Sequence, residues 1–159
     1  MKGLFKKIVV AVNGHESSIH AAMYAILMAK TYNLELKAVY VVDTATIKYL
    51  SMNHFLISEE SLSYEEKLKA DGEKYLKYVE RLAQIKGVRI QTELRSGGIF
   101  SEVVKVCEEY KADLLLLGGH ENKNGKKNII SEKESDILSN SKIPVMFVKN
   151  ENIEKLFKL

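Results

Sequence analysis

The chain reads as a doubly wound parallel α/β domain, and three features predict it. Short apolar runs alternate with helix-period segments along the whole length, the pattern of strands joined by crossover helices. Two of the runs, Ile8 to Val12 and Leu114 to Leu117, carry no polar residue at all, as strands buried on both faces do. Both end in turn-forming residues, Asn13-Gly14 and Gly118-Gly119. At 159 residues there is room for one ordinary domain with a full core.

The first strand, Ile8 to Val12, is a β-branched run broken by Asn13-Gly14. Ile19, Ala22, Ala25, Ile26 and Ala29 then recur at helical spacing, which predicts a helix from Ser17 to Tyr32. Ser17 suits its N-cap, and Asn33 suits a left-handed stop. Leu36 to Val42 is the second strand and ends at Asp43. Residues 44–61 show no clear period and read as an irregular, partly apolar loop carrying Tyr49, Met52, His54, Phe55 and Leu56. Such a loop packs over the sheet, lids a pocket or meets a partner.

A helix from Ser63 to Ile85 follows, with Leu68, Gly72, Tyr75, Leu76, Val79 and Leu82 on one face. Glycine in a helix interior costs about 1 kcal/mol relative to alanine, so Gly72 implies close packing. Val88 to Leu94 alternates as a third strand, and Gly97-Gly98 turns it into a helix from Ser101 to Tyr110. After the fourth strand, a polar loop from His120 to Asn128 leads to a short helix, Glu132 to Asn140. Pro144 opens the last strand, Val145 to Val148. We therefore expect one domain over 1–149 and a short amphipathic tail over 150–159.

Bulk properties exclude several classes. The net charge is +3, with lysines dispersed rather than gathered on one face, which does not suit nucleic acid. No apolar run approaches the ~20 residues that span a bilayer, and the N-terminus shows no leader, so a cytoplasmic protein is expected. The lone Cys107 follows Val103 and Val104 at helical spacing and reads as a core thiol, not a nucleophile. No Walker A run, nucleophile elbow or Gly-x-Gly-x-x-Gly is present.

Open parallel sheets bind ligands beyond the carboxyl ends of the strands, where strand order reverses. That rule points to the tips of the first and fourth strands, Asn13 to Glu16 and Gly118 to Gly125. His15-Glu16 and His120-Glu121 sit at these tips. Imidazole with carboxylate suits a transition metal, but the rigid spacing of a metal site is missing and none is expected. His20 and His54 show no partner in the sequence.

Four stretches resemble the universal stress protein family. They are the opening Ile8-Val9-Val10-Ala11-Val12-Asn13-Gly14-His15-Glu16-Ser17-Ser18, the turn Gly98-Ile99-Phe100-Ser101-Glu102, the run Ala112-Asp113 through Gly118, and the close Lys142-Ile143-Pro144-Val145. Together they cover nearly the whole chain in order. The resemblance implies a five-stranded sheet ordered 3-2-1-4-5 with helices on both faces, and a homodimer. In one branch of the family it also implies ATP held between strands one and four. The candidate nucleotide-binding residues on this resemblance are Val12, Asn13, Gly14, Val41, Gly118, His120, Glu121, Gly125, Ser131 and Glu132.

The ATP-binding branch carries Gly-x2-Gly-x9-Gly-[Ser/Thr] after strand four. Here the aligned residues are Gly118, Glu121 and Ser131-Glu132, so only the first matches, and an inserted spacer would let Gly125 serve as the second glycine. Glu121 places a negative charge where backbone amides would meet phosphates. Ser131 and Glu134 read as a capping box that uses the helix's free N–H groups itself. Asn13 replaces the family's aspartate and cannot ionise. Lys123, Lys126 and Lys127 lie in the loop beside the pocket and read either as a solvated surface loop with an Asn124-Gly125 turn or as cations that offset the carboxylates.

The expectation is a regulatory binding module acting as a homodimer, paired through the last strand, with weak or absent ATP binding and an unidentified protein partner. ATP or another adenine nucleotide is the cofactor class it could take. The alternative is an adenine-nucleotide protein with slow phosphate hydrolysis or transfer, for which no metal-binding carboxylate pair or base is evident. A phospho-receiver domain is set aside because Asn13-Gly14 and Arg95-Ser96 stand where its acidic residues would be.

Overall fold

Ile8, Val9 and Val10 are inaccessible to solvent in the computed structural model, because β1 (Lys7–Val12) lies at the centre of a parallel sheet with helices over both faces. The structure describes residues 3–118, 132–149 and 152–159, with the side chains of 132 and 133 left aside. The elements run β1, α1 (Glu16–Tyr32), β2 (Glu35–Asp43), α2 (Thr44–Met52), α3 (Ser58–Ile85), β3 (Ile90–Gly97), α4 (Ile99–Tyr110), β4 (Leu114–Gly118), α5 (Glu132–Asn140), β5 (Val145–Val148) and α6 (Ile153–Lys158). Strand order is β3-β2-β1-β4-β5, as expected. The order reverses at β1, which pairs with β2 on one side (Ile8 opposite Leu36) and β4 on the other (Ile8 opposite Leu114).

Alternation along each strand feeds two cores. Val10, Val12, Ala38, Tyr40 and Leu116 face α1 and α3, while Val9, Val39, Leu115 and Leu117 face α4 and α5. Cys107 joins the second core, and burial pushes its thiol up to about 12, so it is an unreactive core group. Gly72 lets α3 lie against the sheet: a Cβ there would stand 2.6 Å from Tyr40 Cδ1 and 2.7 Å from Leu94 Cδ1.

Several expectations need correction. Residues 44–61 are mostly helical. Asp43 caps α2, its Oδ1 accepting from Thr46 N (3.1 Å) and its Oδ2 from Thr46 Oγ1 (2.7 Å), a local hydrogen-bond signal that apolar periodicity does not register. The next helix starts at Ser58 rather than Ser63, with Glu59 and Glu60 in its first turn favoured by the helix dipole. Helix α1 starts at Glu16 with His15 at its N-cap, not Ser17. Asn33 does end it in the left-handed region, at φ 56°.

Strand β3 begins two residues later than expected and runs on to Gly97, because β2 offers backbone partners as far as Asp43 opposite Gly97. Its charged residues are accommodated by ion pairs. Arg95 meets Glu93 at 3.1 Å, Glu102 at 2.9 Å and Glu109 at 3.0 Å, and Lys37 meets Glu93 at 3.0 Å. The tail is anchored: Ile153 and Phe157 of α6 are buried in the α1-side core, while Leu156 is about half exposed. Among the described residues, no helix is long and apolar enough to cross a membrane.

Candidate functional site

The turn after β1 is built by its own side chains. Asn13 Oδ1 accepts from His15 N (3.0 Å), so the side chain turns the chain back on itself. The buried Ser18 hydroxyl accepts from Asn13 N (3.1 Å) and donates to the His15 carbonyl (2.9 Å). Gly14 adopts φ 84°, and a Cβ there would stand 2.8 Å from Tyr75 Cε2, so the position requires glycine on both counts. Tyr75 in turn stacks on Tyr40, with ring centroids 6.3 Å apart.

Gly118 closes the other side. A Cβ at this position would collide with the Ser17 carbonyl and stand 2.8 Å from Ser18 N. The tip of β4 therefore abuts the first turn of α1 directly, backbone against backbone, and glycine is what allows the approach.

These tips border a cleft of about 360 Å³. Its floor comes from strands, with Ala11 to Asn13 of β1 and its turn, Val39 to Asp43 of β2, and Leu117 and Gly118 of β4. Its walls come from helices, with Tyr64 and Leu68 of α3, Ile99 and Val103 of α4, and Glu134 and Ile137 of α5. The cleft lies at the β1 switch point, where doubly wound sheets hold ligands. Its ionisable lining is His15, Asp43, Glu134 and the two tyrosines, and among the described residues no lysine or arginine lines it. Glu134 is buried, and burial holds the Tyr40 phenol above its usual range.

Four of the sequence candidates meet there: Val12, Asn13, Val41 and Gly118. Gly14 stands behind the turn against Tyr75 rather than in the lining. His120, Glu121, Gly125 and Ser131 lie outside the described residues, as does the side chain of Glu132, so the proposed capping box and the loop lysines do as well. Sequence reasoning did not place Asp43, Tyr64, Leu68 or Glu134 in the cleft. Asp43 carried a usable signal, since it ends a strand adjacent to the switch point.

His20 corrects a second expectation. It is not without a partner: Nε2 lies 3.1 Å from Glu154 Oε1 and 3.7 Å from Glu16 Oε1. Glu16 thus turns along α1 toward His20.

Comparison with known proteins matches this geometry. The family model described as "Universal stress protein family" matches residues 4–149. Universal stress protein MJ0531 of Methanocaldococcus jannaschii is 34% identical over 148 residues, covering 93% of this chain and 84% of its own. Among solved structures, a universal stress protein in complex with cAMP superposes with a TM-score of 0.65 at 20% identity, over 92% of this chain and 99% of that one. The universal stress protein from Archaeoglobus fulgidus in complex with dAMP superposes with a TM-score of 0.61 at 14% identity, over 92% and 100%. At these identities the two structures speak to the fold.

Proposed function

Because the chain belongs to the universal stress protein family, we propose that it is a regulatory binding module whose cleft takes the adenosine end of a nucleotide and disfavours a polyphosphate. The observation that carries this reading is the charge of the cleft. Its described lining supplies an apolar slot, Ala11, Val12, Val39, Val41 and Leu117, of the kind that holds a base and ribose. The same lining supplies the carboxylates of Asp43 and Glu134 and, among the described residues, no lysine or arginine. Two unit charges at 4 Å interact by about 4 kcal/mol at an effective dielectric constant near 20, so a carboxylate close to a phosphate weighs heavily against binding. Relatives solved with cAMP and with dAMP support an adenine ligand with a single phosphate as the class to test first.

The module acts as a homodimer paired through β5. In support, β5 is an edge strand, Val145, Met146 and Phe147 are only half-buried, and α6 packs against α1. An apolar edge left open invites pairing, and two-fold pairing is the commonest way to close it.

Isothermal titration of the full chain with adenosine, AMP, cAMP and ATP, with and without magnesium, tests the ligand reading. Adenosine or a monophosphate is expected to bind more tightly than ATP. Low-micromolar ATP binding, tighter than AMP, would overturn it.

A further inference from the structure

Glu16, His20 and Glu154 form a cluster apart from the cleft. Glu16 and His20 are one turn apart on α1, and Glu154 arrives on α6, 134 residues beyond His20. We propose that these three side chains bind a divalent first-row transition metal ion of the zinc type, which clips the C-terminal helix to α1.

Geometry is the first support. One ligand atom from each residue lies within 4.8 Å of the others, and Nε2 stands 3.1 Å and 3.7 Å from the two carboxylate oxygens. Tetrahedral zinc, with bonds of about 2.0–2.2 Å to nitrogen and oxygen, holds its ligand atoms about 3.4 Å apart. The cluster needs only small side-chain adjustments to reach that spacing.

Proton supply is the second. Both carboxylates address the same ring nitrogen, which carries at most one hydrogen. One hydrogen bond therefore leaves the other carboxylate facing it without a proton to share. A divalent cation at their meeting point takes a lone pair from all three and offsets both negative charges.

Exposure is the third. The His20 side chain is only 14% exposed, so packing restrains the ring, whereas Glu16 and Glu154 are 70% and 47% exposed and open the fourth coordination position to water. An imidazole with two carboxylates suits zinc, cobalt, nickel or copper better than magnesium or calcium, which favour all-oxygen sites. The buried thiol of Cys107 offers no competing ligand at neutral pH.

The consequence is structural. Helix α6 has six residues, and its hold on the domain rests on Ile153 and Phe157. A metal at Glu154 adds a bond beside Ile153, at the helix's first turn.

The test is titration of untagged full-length protein with cobalt(II), read by visible absorption, followed by displacement with zinc. One equivalent per chain, with the intense bands of a low-symmetry site that zinc abolishes, is expected. Glu154→Gln and His20→Gln should each lose the signal, and His54→Gln should keep it. Zinc should also slow amide hydrogen exchange over residues 153–158 in the parent and not in Glu154→Gln. If His20→Gln fails to fold, Glu154→Gln decides the matter, since its side chain is half exposed. No binding at one equivalent overturns the proposal, and so does a cobalt signal that survives Glu154→Gln.

Discussion

Asp113 offers a sharp test of how the start of the sheet is held. Its Oδ2 accepts from the backbone N–H groups of Lys6 (2.8 Å) and Lys7 (2.9 Å), and its own N–H donates to the Lys7 carbonyl at 2.7 Å. One carboxylate thus joins the entry of β1 to the entry of β4. Hydrogen bonds to a charged group contribute about 1.5–3 kcal/mol each. Water reaches this end of the sheet and screens the charge, so the two side-chain bonds together should contribute about 2–3 kcal/mol.

We expect Asp113→Ala to lower unfolding free energy by that amount at pH 7 and Asp113→Asn, which keeps a neutral acceptor, by about 1 kcal/mol. The pH dependence follows from the same bonds. The N–H groups of Lys7 and Lys6, in that order, hold the Asp113 carboxyl below its usual range. A depressed folded-state value gives stability that is fully present above the unfolded value of about 3.9, and that drains away as pH falls through the lower folded value. The gap between parent and Asp113→Ala should therefore be constant from pH 7 to about 5 and close below about pH 4. Urea unfolding of both proteins at pH 7, 5, 4 and 3 measures it. An equal gap at pH 3 and pH 7 would refute the reasoning, because the carboxylate's charge would then be irrelevant.

Three further outcomes follow from the cleft and the edge. Gly118→Ala should lose about 1–3 kcal/mol in urea unfolding, since its Cβ meets α1 backbone rather than a movable side chain. Glu134→Gln should tighten ATP more than adenosine in titration calorimetry, since it removes a buried charge from the lining while keeping the shape. Phe147→Lys should shift a homodimer to monomer in light scattering, and a parent protein that is monomeric at high micromolar concentration would remove the basis for pairing through β5.

The strands were legible because burial on both faces leaves an unambiguous mark. Val9 and Leu115 sit in one core and Val10 and Leu116 in the other, so neither face admits a polar residue at these central positions of β1 and β4. Helix α2 was not, because its start is set by the Asp43 carboxylate and a single buried residue, Ile47, ties it down. In the floor of the cleft, the strand-tip rule pointed to Asn13 and Gly118, and the family resemblance added Val12 and Val41. Its walls did not, because Tyr64, Leu68 and Glu134 reach the site only through helix packing. The same holds for His20 and Glu154, since a contact across 134 residues leaves no trace in local spacing.

The two rims of the sheet are unlike, and the difference bears on the pairing proposed above. At the β3 rim, Glu93 and Arg95 turn inward into a mesh of charges with Lys37, Glu102 and Glu109. A foreign strand docking there would have to strip water from that mesh, a familiar barrier to edge-on growth. The β5 rim carries Val145, Met146 and Phe147, and among the described residues no comparable mesh of ion pairs lies on it. Growth of a continuous ribbon needs the β5 rim of one molecule to accept the β3 rim of the next, without end. Under the pairing proposed above, β5 of one molecule meets β5 of another, and such a contact would be complete after two molecules. If chains pair through β5 as proposed, the ion pairs at Arg95 would disfavour further addition at the β3 rim, a role separate from any effect they have on the stability of a single chain.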